Sequence, residues 1–194
     1  MFVRELTAAI LAVSGPRQPA ILNTVLAKDG VTILDRLLAT LRACCASIVV
    51  IADSQCAPCR ARSLSVYPPV LPGKAPLRAL YTALTVAPTE HVFVCAVTMP
   101  FVDEPLIRYL ASFAEGTDAV VPRDPHGLQP LHAIYSRQLI PTLETRLNAG
   151  LRKVEDFIEA IDAWIVPPDE VAAIDPTGLA FLDARITSHV APTA

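Results

Sequence analysis

The sequence predicts a three-layer α/β fold in which helices cover both faces of a mostly parallel central sheet. Nearly continuous apolar runs, such as "VFVCAV" at 92–97, alternate along the chain with segments whose apolar residues recur at helical spacing. Such runs are typical of strands buried on both faces, and repeated strand–helix units favour parallel pairing with right-handed crossovers. A chain of 194 residues that is 53% hydrophobic and 18% charged fits one domain with a substantial core.

Each predicted element has a local reason in the sequence. Pro76 opens a helical segment at a position where its missing N–H costs nothing, and Gly150 closes another as a C-cap. The predicted strands are residues 6–14, 47–53, 92–97, 118–122 and 131–136, with late strands at 163–168 and 181–186. The predicted helices are residues 32–45, 76–87, 103–115, 137–150 and 152–161. Prolines make residues 64–76 a loop or short strand and residues 167–176 a surface loop.

Charge and hydropathy exclude two classes of partner. The chain carries 16 Lys and Arg against 19 Asp and Glu, a net charge of −3, without a basic cluster, so no nucleic-acid binding is expected. No apolar stretch reaches the ~20 residues that a spanning helix needs, so no membrane association is expected. Residues 6–14 follow a poor positive region, Arg4 and Glu5, and are interpreted as a buried strand rather than a signal sequence. A cytoplasmic protein is predicted.

Five cysteines raise the question of metal or redox chemistry. Cys56 and Cys59 form a C-x-x-C pair. Cys44 and Cys45 are adjacent, and Cys95 lies in a predicted strand. A structural zinc site needs four ligands, usually from two such pairs, and the chain has one. Reduced cysteines of a cytoplasmic protein are therefore the expectation, with a reversible Cys56–Cys59 disulfide as the alternative.

The carboxyl ends of the predicted strands are where a ligand is expected, because parallel sheets bind ligands there. Three segments should meet at this rim: the loop after the first strand, the "LPGKAPL" turn at 71–77 and the "VTMPF" corner at 97–101. A metal-binding corner is expected to carry a carboxylate at its tip, and the tip holds Thr98. We expect residues 11–18 to lie within about one helix diameter (~10 Å) of Thr98.

Two segments carry recognisable motifs. Residues 129–135 read Q-P-L-H-A-I-Y, and residues 72–79 read P-G-K-A-P-L-R-A. They resemble the Q-P-L-x-A-x-Y strand and the P-G-x-G-P-L-x-G helix start of the MobA-like nucleotidyltransferases, the molybdenum cofactor guanylyltransferases. The resemblance spans nearly the whole chain. It implies a nucleotide-diphospho-sugar-transferase-like (Rossmann-like) fold, one such domain over residues 1–194, and Mg²⁺ and GTP as cofactors if the family activity is retained.

The first loop departs from the family's L-A-G-G-x-S-x-R-M-G-x-D-K pattern. Aligned without a gap, Leu11 and Ala12 match, whereas Val13 and Ser14 replace the paired glycines. In the family, backbone N–H groups of this loop cradle the nucleotide phosphates. The nucleotide-binding positions that the resemblance implies are Leu11, Ala12, Val13, Ser14, Asn23, Pro76, Leu77 and Thr98.

Three charged positions of the family are neutral in this chain. Gln18 stands where the loop arginine would be, and Asn23 stands where the lysine would be. Thr98 falls on the metal-binding aspartate of the family's C-D-x-P-F corner. These losses remove groups that act on developing phosphate charge, which corresponds to several kcal/mol of transition-state stabilisation. No catalytic residue is therefore assigned with the resemblance.

Five other residues are candidates for partial replacement of the lost charges. Asp103 either complements the dipole of the helix that it begins or supplies a metal ligand. Asp183 lies where the family has an N-x-N-T-P-x-D-like stretch and is the remaining carboxylate there. Arg17, Lys74 and Arg78 are either substitute cations or solvated surface residues.

Two further residues precede or lie in the strand predicted at 131–136. Gln129 and His132 alternate with apolar positions, so one face of this segment is expected to border the cleft. His132 is interpreted as a packed strand histidine rather than as a base.

Two classes of function follow from the sequence. The first is a MobA-like protein with impaired or absent catalysis that binds a nucleotide or a molybdopterin-like small molecule, or that serves as a protein partner in cofactor assembly. The second is an active, divergent enzyme that transfers a nucleoside monophosphate from an NTP to molybdopterin or to another phosphorylated acceptor. The charge losses at Gln18, Asn23 and Thr98 favour the first class.

Overall fold

The central feature of the computed structural model, which describes residues 5–12, 22–24, 30–52, 56–71, 76–151 and 153–184, is a single eight-stranded sheet. Its strands are β1 Leu6–Leu11, β2 Ser47–Ile51, β3 Ser65–Tyr67, β4 His91–Ala96, β5 Ala119–Asp124, β6 Gly127–Leu128, β7 His132–Ser136 and β8 Ala163–Val166. The order across the sheet is β3-β2-β1-β4-β7-β5-β6, and β8 pairs with β5. The α/β class predicted from the alternating pattern is confirmed.

The sheet is mixed, with antiparallel pairing concentrated around β7. The pairs β1–β2, β1–β4, β2–β3 and β5–β8 are parallel, whereas β7 runs antiparallel to both β4 and β5. Strand β6 also pairs with β5 in the antiparallel sense. The connection from β5 through β6 to β7 is too short to hold a crossover helix, and a parallel return would need a dozen or more residues. This part of the sheet therefore reverses direction.

Helices cover both faces of the sheet. They are α1 Ile33–Cys44, α2 Ala57–Arg60, α3 Pro76–Val86, α4 Glu104–Ala111, α5 Ile140–Asn148, α6 Val154–Ile158 and α7 Pro168–Ile174. Helices α1, α2, α4 and α7 pack on one apolar core, and α3, α5 and α6 pack on a second. Alternate residues of β1 enter the two cores, so the cores lie on opposite faces. Within the described residues, every helix is too short or too polar to cross a bilayer.

Helix α1 shows how the sequence sets an element's limits. The Thr32 hydroxyl accepts a hydrogen bond from the Asp35 N–H at 3.1 Å and caps the first turn. Its buried residues recur every three or four positions and form one apolar stripe: Ile33, Leu34, Leu37, Leu38, Leu41 and Cys44. This stripe was the periodicity that predicted the helix.

Two predictions for the C-terminal region are wrong. Residues 168–174 form helix α7 within the segment predicted to be a surface loop, because Pro167 and Pro168 stand before and at the first helical turn, where proline is tolerated. The strand predicted at 181–186 is absent from the described part, residues 181–184. Leu179–Phe181 instead form a 3₁₀ turn.

The C-x-x-C pair also differs from the expectation of reduced cysteines. Cys56 and Cys59 are joined by a disulfide, and both are buried. The turn that they close is tied to the start of α1, since the Arg62 guanidinium donates to both carboxylate oxygens of Asp35 at 2.5 and 2.7 Å. These hydrogen bonds, with one from Thr32, lower the pKa of Asp35 from 3.8 to about 2. The disulfide is therefore part of the packing around α1.

Replacing Gly150 with alanine is expected to lower the free energy of unfolding by about 1 kcal/mol. Gly150 has a φ of +91° directly after α5, a conformation that strains an L-residue. It is part of a helix stop in which the Leu151 N–H donates to the Arg146 carbonyl at 3.0 Å. Urea unfolding measures the effect. The opposite change, Ser63→Gly, is the matched control because Ser63 has a φ of +54°, and it is expected to stabilise. Equal stability of Gly150→Ala and the unmodified chain would contradict the assignment.

Candidate functional site

The carboxyl ends of β1, β2 and β4 lie side by side and form one rim. Leu11 pairs with Ala96 across β1 and β4, and the Val97 N–H donates to the Leu11 carbonyl at 3.0 Å. On the other side, the Ala12 N–H donates to the Ile51 carbonyl at 2.8 Å. The loops that follow these strands therefore leave the sheet at the same edge. Leu11 and Ala12 thus lie beside the corner at Val97, as expected for the carboxyl ends of neighbouring parallel strands.

Thr98 is held at this rim by a segment from the far end of the chain. Its hydroxyl donates to Oδ2 of Asp183 at 3.2 Å, and its carbonyl accepts from the Ala184 N–H at 2.7 Å. Thr98 is 4% exposed, so these bonds satisfy polar groups that water barely reaches. Asp183, predicted as the remaining carboxylate of the C-terminal motif, thus lies directly at the Thr98 corner.

The turn before Asp183 is built around Asp175. The Asp175 carboxylate accepts from the Thr177 hydroxyl at 2.5 Å and from the Ala180 N–H at 2.9 Å. Burial raises the pKa of Asp175, but the hydrogen bonds from Thr177, Ala180 and Gly178 outweigh it and leave the pKa lowered. This turn delivers Phe181 onto the sheet and Asp183 onto the corner.

His132 packs against that turn as a neutral side chain. Its ring meets Phe93 edge-on at a centroid distance of 5.0 Å and Phe181 at 5.1 Å. The residue is 0% exposed, and neither ring nitrogen has a hydrogen-bond partner among the residues that the structure describes. Burial therefore lowers the pKa of His132 from 6.5 to about 3, against a smaller opposing effect of Asp175. The prediction of a packed strand histidine is confirmed.

Asp103 has a structural role. Its carboxylate accepts from the Leu106 N–H at 3.2 Å and caps α4. Burial raises its pKa, the Leu106 hydrogen bond opposes that shift, and the charges of Asp175 and Glu104 add to it. Of the two interpretations of Asp103, the helix-terminal one fits this geometry.

A cleft of about 320 Å³ opens beside the corner. It is lined by the apolar residues Pro76, Met99, Leu128, Pro130, Leu131 and Val154 and by the polar residues Gln129, Lys153 and Glu155. Met99, which lines the cleft, follows Thr98 directly in the sequence. Its size and its few polar groups are typical of a small-molecule site.

The structure assigns different positions to the predicted nucleotide-binding residues. Val13, Ser14 and Gln18 lie outside the described residues, as do Arg17 and Lys74. Leu11 and Ala12 are buried at the end of β1, and Asn23 is exposed. Pro76 lines the cleft, whereas Leu77 is fully buried in the core under α3. Arg78, half-buried on α3, stays without an assigned ligand.

Three charged residues near the site were not predicted. Lys153 and Glu155 line the cleft at the start of α6. The sequence signal for their position is Gly150, which ends the preceding helix α5 and lets the chain turn. The Arg36 guanidinium of α1 lies 5.6 Å from the centre of the Phe101 ring, at the end of the "VTMPF" corner. Arg36 is four residues after Thr32, the cap of α1, and this position in the sequence did not predict a contact with Phe101.

Among the described residues, the side-chain donors at the corner are one carboxylate, that of Asp183, and the neutral hydroxyl of Thr98. Mg²⁺ sites for a triphosphate use one or two carboxylates together with phosphate oxygens. Here Thr98 contributes a neutral hydroxyl, and that hydroxyl already donates to the Asp183 carboxylate. Among the described residues, no group of three or more His, Cys, Asp or Glu side chains is arranged to hold a metal ion.

Solved structures share this architecture. The molybdopterin-guanine dinucleotide biosynthesis protein A of Archaeoglobus fulgidus superposes with a TM-score of 0.75 at 19% identity, covering 95% of this chain and all of that one. At this identity the likeness defines the fold alone. A sequence model of the MobA-like NTP transferase domain matches residues 24–163. The chain belongs to the MobA-like NTP transferase domain family.

Curated relatives agree with this assignment. The chain is 34% identical over 127 residues to the probable molybdenum cofactor guanylyltransferase of Pelotomaculum thermopropionicum, with 66% of this chain and 62% of that protein covered. It is 27% identical over 164 residues to the probable molybdenum cofactor guanylyltransferase of Carboxydothermus hydrogenoformans, with 84% and 82% covered. The chain therefore spans less than two thirds of the first of these relatives and most of the second.

Proposed function

We propose that this protein is a MobA-like domain that binds a nucleotide or a molybdopterin-like small molecule in the cytoplasm and has little or no Mg²⁺-dependent nucleotidyl transfer. The observation that supports this most directly is the corner itself. Thr98 offers a neutral hydroxyl, which is hydrogen-bonded to Asp183, where the family resemblance implies a metal-binding carboxylate. A hydroxyl contacts a divalent cation but supplies no charge to hold it against a phosphate.

Two further charged groups that the family resemblance implies are absent from the sequence. Gln18 and Asn23 replace the two cations that the resemblance implies. Nucleotidyl transfer depends on cations and preorganised donors aimed at the charge that develops on the phosphate, and the loss of one such donor costs about 10²–10³ in kcat. Three neutral replacements of charged family positions therefore favour a binding role over a catalytic one.

The cleft beside Met99 is the proposed binding position for the small molecule. Apolar walls such as Pro130 and Val154 suit a flat heterocycle, and Gln129 can pair with its polar edge. Lys153 gives this end of the cleft a cation for a ligand phosphate. Phosphate binding there does not depend on the missing loop cations.

Two observations favour the second candidate, an active but divergent transferase. Asp183 brings one carboxylate to the corner from another part of the chain, 3.2 Å from the Thr98 hydroxyl. Arg36, over the Phe101 ring, brings a guanidinium to the same corner. If both act on a bound triphosphate, part of the lost charge is replaced at new positions.

Calorimetric titration with GTP, CTP and ATP, with and without Mg²⁺, tests the proposal. We expect weak binding whose Kd changes less than about threefold when Mg²⁺ is added, because the corner holds no charged residue in place of Thr98 to recruit the ion. The Thr98→Asp variant is expected to make binding Mg²⁺-dependent, and Thr98→Asn is its neutral control. A Kd that tightens tenfold or more with Mg²⁺ in the unmodified chain, and that loses this response in Asp183→Asn, would support the second candidate instead.

A further inference from the structure

Three aromatic side chains form a cluster at the edge of the sheet, away from the candidate site. The rings of Phe113 and Trp164 are stacked, with centroids 5.7 Å apart and planes 9° apart, and Tyr109 meets Phe113 edge-on at 5.1 Å. Trp164 is nevertheless 48% exposed. Phe113 covers one face of the indole, so the exposed part includes the other face. We call Tyr109, Phe113 and Trp164 the aromatic edge.

The aromatic edge lies where the sheet ends. Among the described strands, β8 pairs only with β5, which leaves its outer side without a strand neighbour in the described chain. Exposed aromatic clusters of this kind are uncommon on a surface that contacts only water, and tryptophan is enriched among the residues that dominate protein interfaces.

Carboxylates border the aromatic edge at both ends of β8. Asp162 is exposed directly before the strand, two positions before Trp164. Beyond the strand, the Glu170 carboxylate accepts from the Tyr109 hydroxyl at 2.5 Å. The pKa of Tyr109 is raised by that hydrogen bond first, and the charges of Glu170 and Asp169 add to the effect. The nearest cation of α4, Arg108, is bound to Glu104 at 2.6 Å.

We propose that the aromatic edge is a docking surface for an extended, arginine-bearing basic segment of a partner protein. A guanidinium stacks on an indole face and forms paired hydrogen bonds with a carboxylate. Trp164 supplies an exposed indole, and the exposed Asp162 two positions before it supplies a carboxylate. The negative border repels nucleic acid and anionic lipid, so those occupants do not fit. This surface is separate from the small-molecule cleft and does not depend on how that cleft acts.

Trp164 is the single tryptophan of the chain, so its fluorescence reports binding at this surface directly. The probes are acetyl-GRGRG-amide, the matched acetyl-GKGKG-amide and acetyl-GEGEG-amide, titrated at low salt. We expect a saturable change in Trp164 emission with the arginine peptide, at least about threefold weaker binding of the lysine peptide because it lacks the planar stack, and no response to the glutamate peptide. Raising the salt concentration should weaken binding.

Charge variants locate the effect. The double variant Asp162→Asn with Glu170→Gln is expected to bind the arginine peptide about tenfold more weakly, because it loses two charged partners. Glu144→Gln, an exposed acid on α5 across the sheet, should leave binding unchanged. Trp164→Ala, followed by calorimetry, should lose most of the binding. Equal responses to all three peptides, unchanged affinity in the double variant, or self-association of the chain that quenches Trp164 would each overturn the proposal.

Discussion

The triple variant Gln18→Arg, Asn23→Lys, Thr98→Asp is expected to release pyrophosphate from GTP with Mg²⁺ and a molybdopterin acceptor, whereas the unmodified chain is expected to release almost none. The three changes restore two cations and one carboxylate, the charges that the family resemblance implies. Because each such group is worth about 10²–10³ in kcat, we expect a rate difference of at least about a thousandfold. A coupled pyrophosphate assay measures it.

A matched control separates charge from packing. The same variant with Thr98→Asn in place of Thr98→Asp has a side chain of similar size without the charge and should stay near the unmodified rate. Turnover in the unmodified chain equal to that of the triple variant would exclude the impaired-enzyme proposal. It would also indicate that Asp183, next to Thr98, already supplies the needed carboxylate.

Between pH 7 and pH 5, the protein is expected to lose about 2 kcal/mol of unfolding free energy through His132 alone. The pKa of this side chain is about 3 in the folded protein and ordinarily 6.5. The unfolded chain therefore takes up a proton below pH 6.5 that the folded protein does not. The stability conferred by the neutral ring is present above pH 6.5 and is lost as the pH falls from 6.5 toward 3. Urea unfolding at both pH values measures the loss.

A non-titrating substitution isolates this effect. His132→Leu should lose about 2 kcal/mol less than the unmodified chain over the same pH interval, since leucine fills a similar apolar position between Phe93 and Phe181. The other ionisable groups are common to both proteins and cancel in the comparison. His126→Gln, at an exposed turn, is the control that should keep the original pH dependence. Parallel pH profiles for His132→Leu and the unmodified chain would show that His132 titrates normally.

Most of the fold could be predicted because hydrophobic period and buried position coincide. The run "HVFVCA" became the fully paired β4, and the stripe of α1 became its buried face. The direction of β7 was not accessible, since a buried strand has the same composition in either orientation. Helix α7 was missed because two prolines indicate a loop unless their place in the first turn is known. The apolar pattern at 181–184 does not form a strand, because the hydrogen bonds of Asp175 fix a turn in the chain just before it.

The location of the candidate site could be predicted from the sequence, but the contacts between its residues could not. The rule that parallel strands present their carboxyl ends at one edge predicted that the loop after β1 meets the "VTMPF" corner, and that corner identified Thr98. The contact between Thr98 and Asp183 depends on a turn whose path no local pattern encodes. Lys153 reaches the cleft for the same reason, because the turn around Gly150 places the start of α6 there.

The bond between Thr98 and Asp183 also orders events during synthesis of the protein. The two residues are 85 positions apart, and the second lies in the last part of the chain that the structure describes. Contacts with such long sequence separation are slow to form because loop closure must precede them. A ribosome-bound chain that has already paired β1 with β4 still lacks the carboxylate at the corner. The Thr98 corner is thus completed only after Asp183 has been synthesised and has folded back onto it.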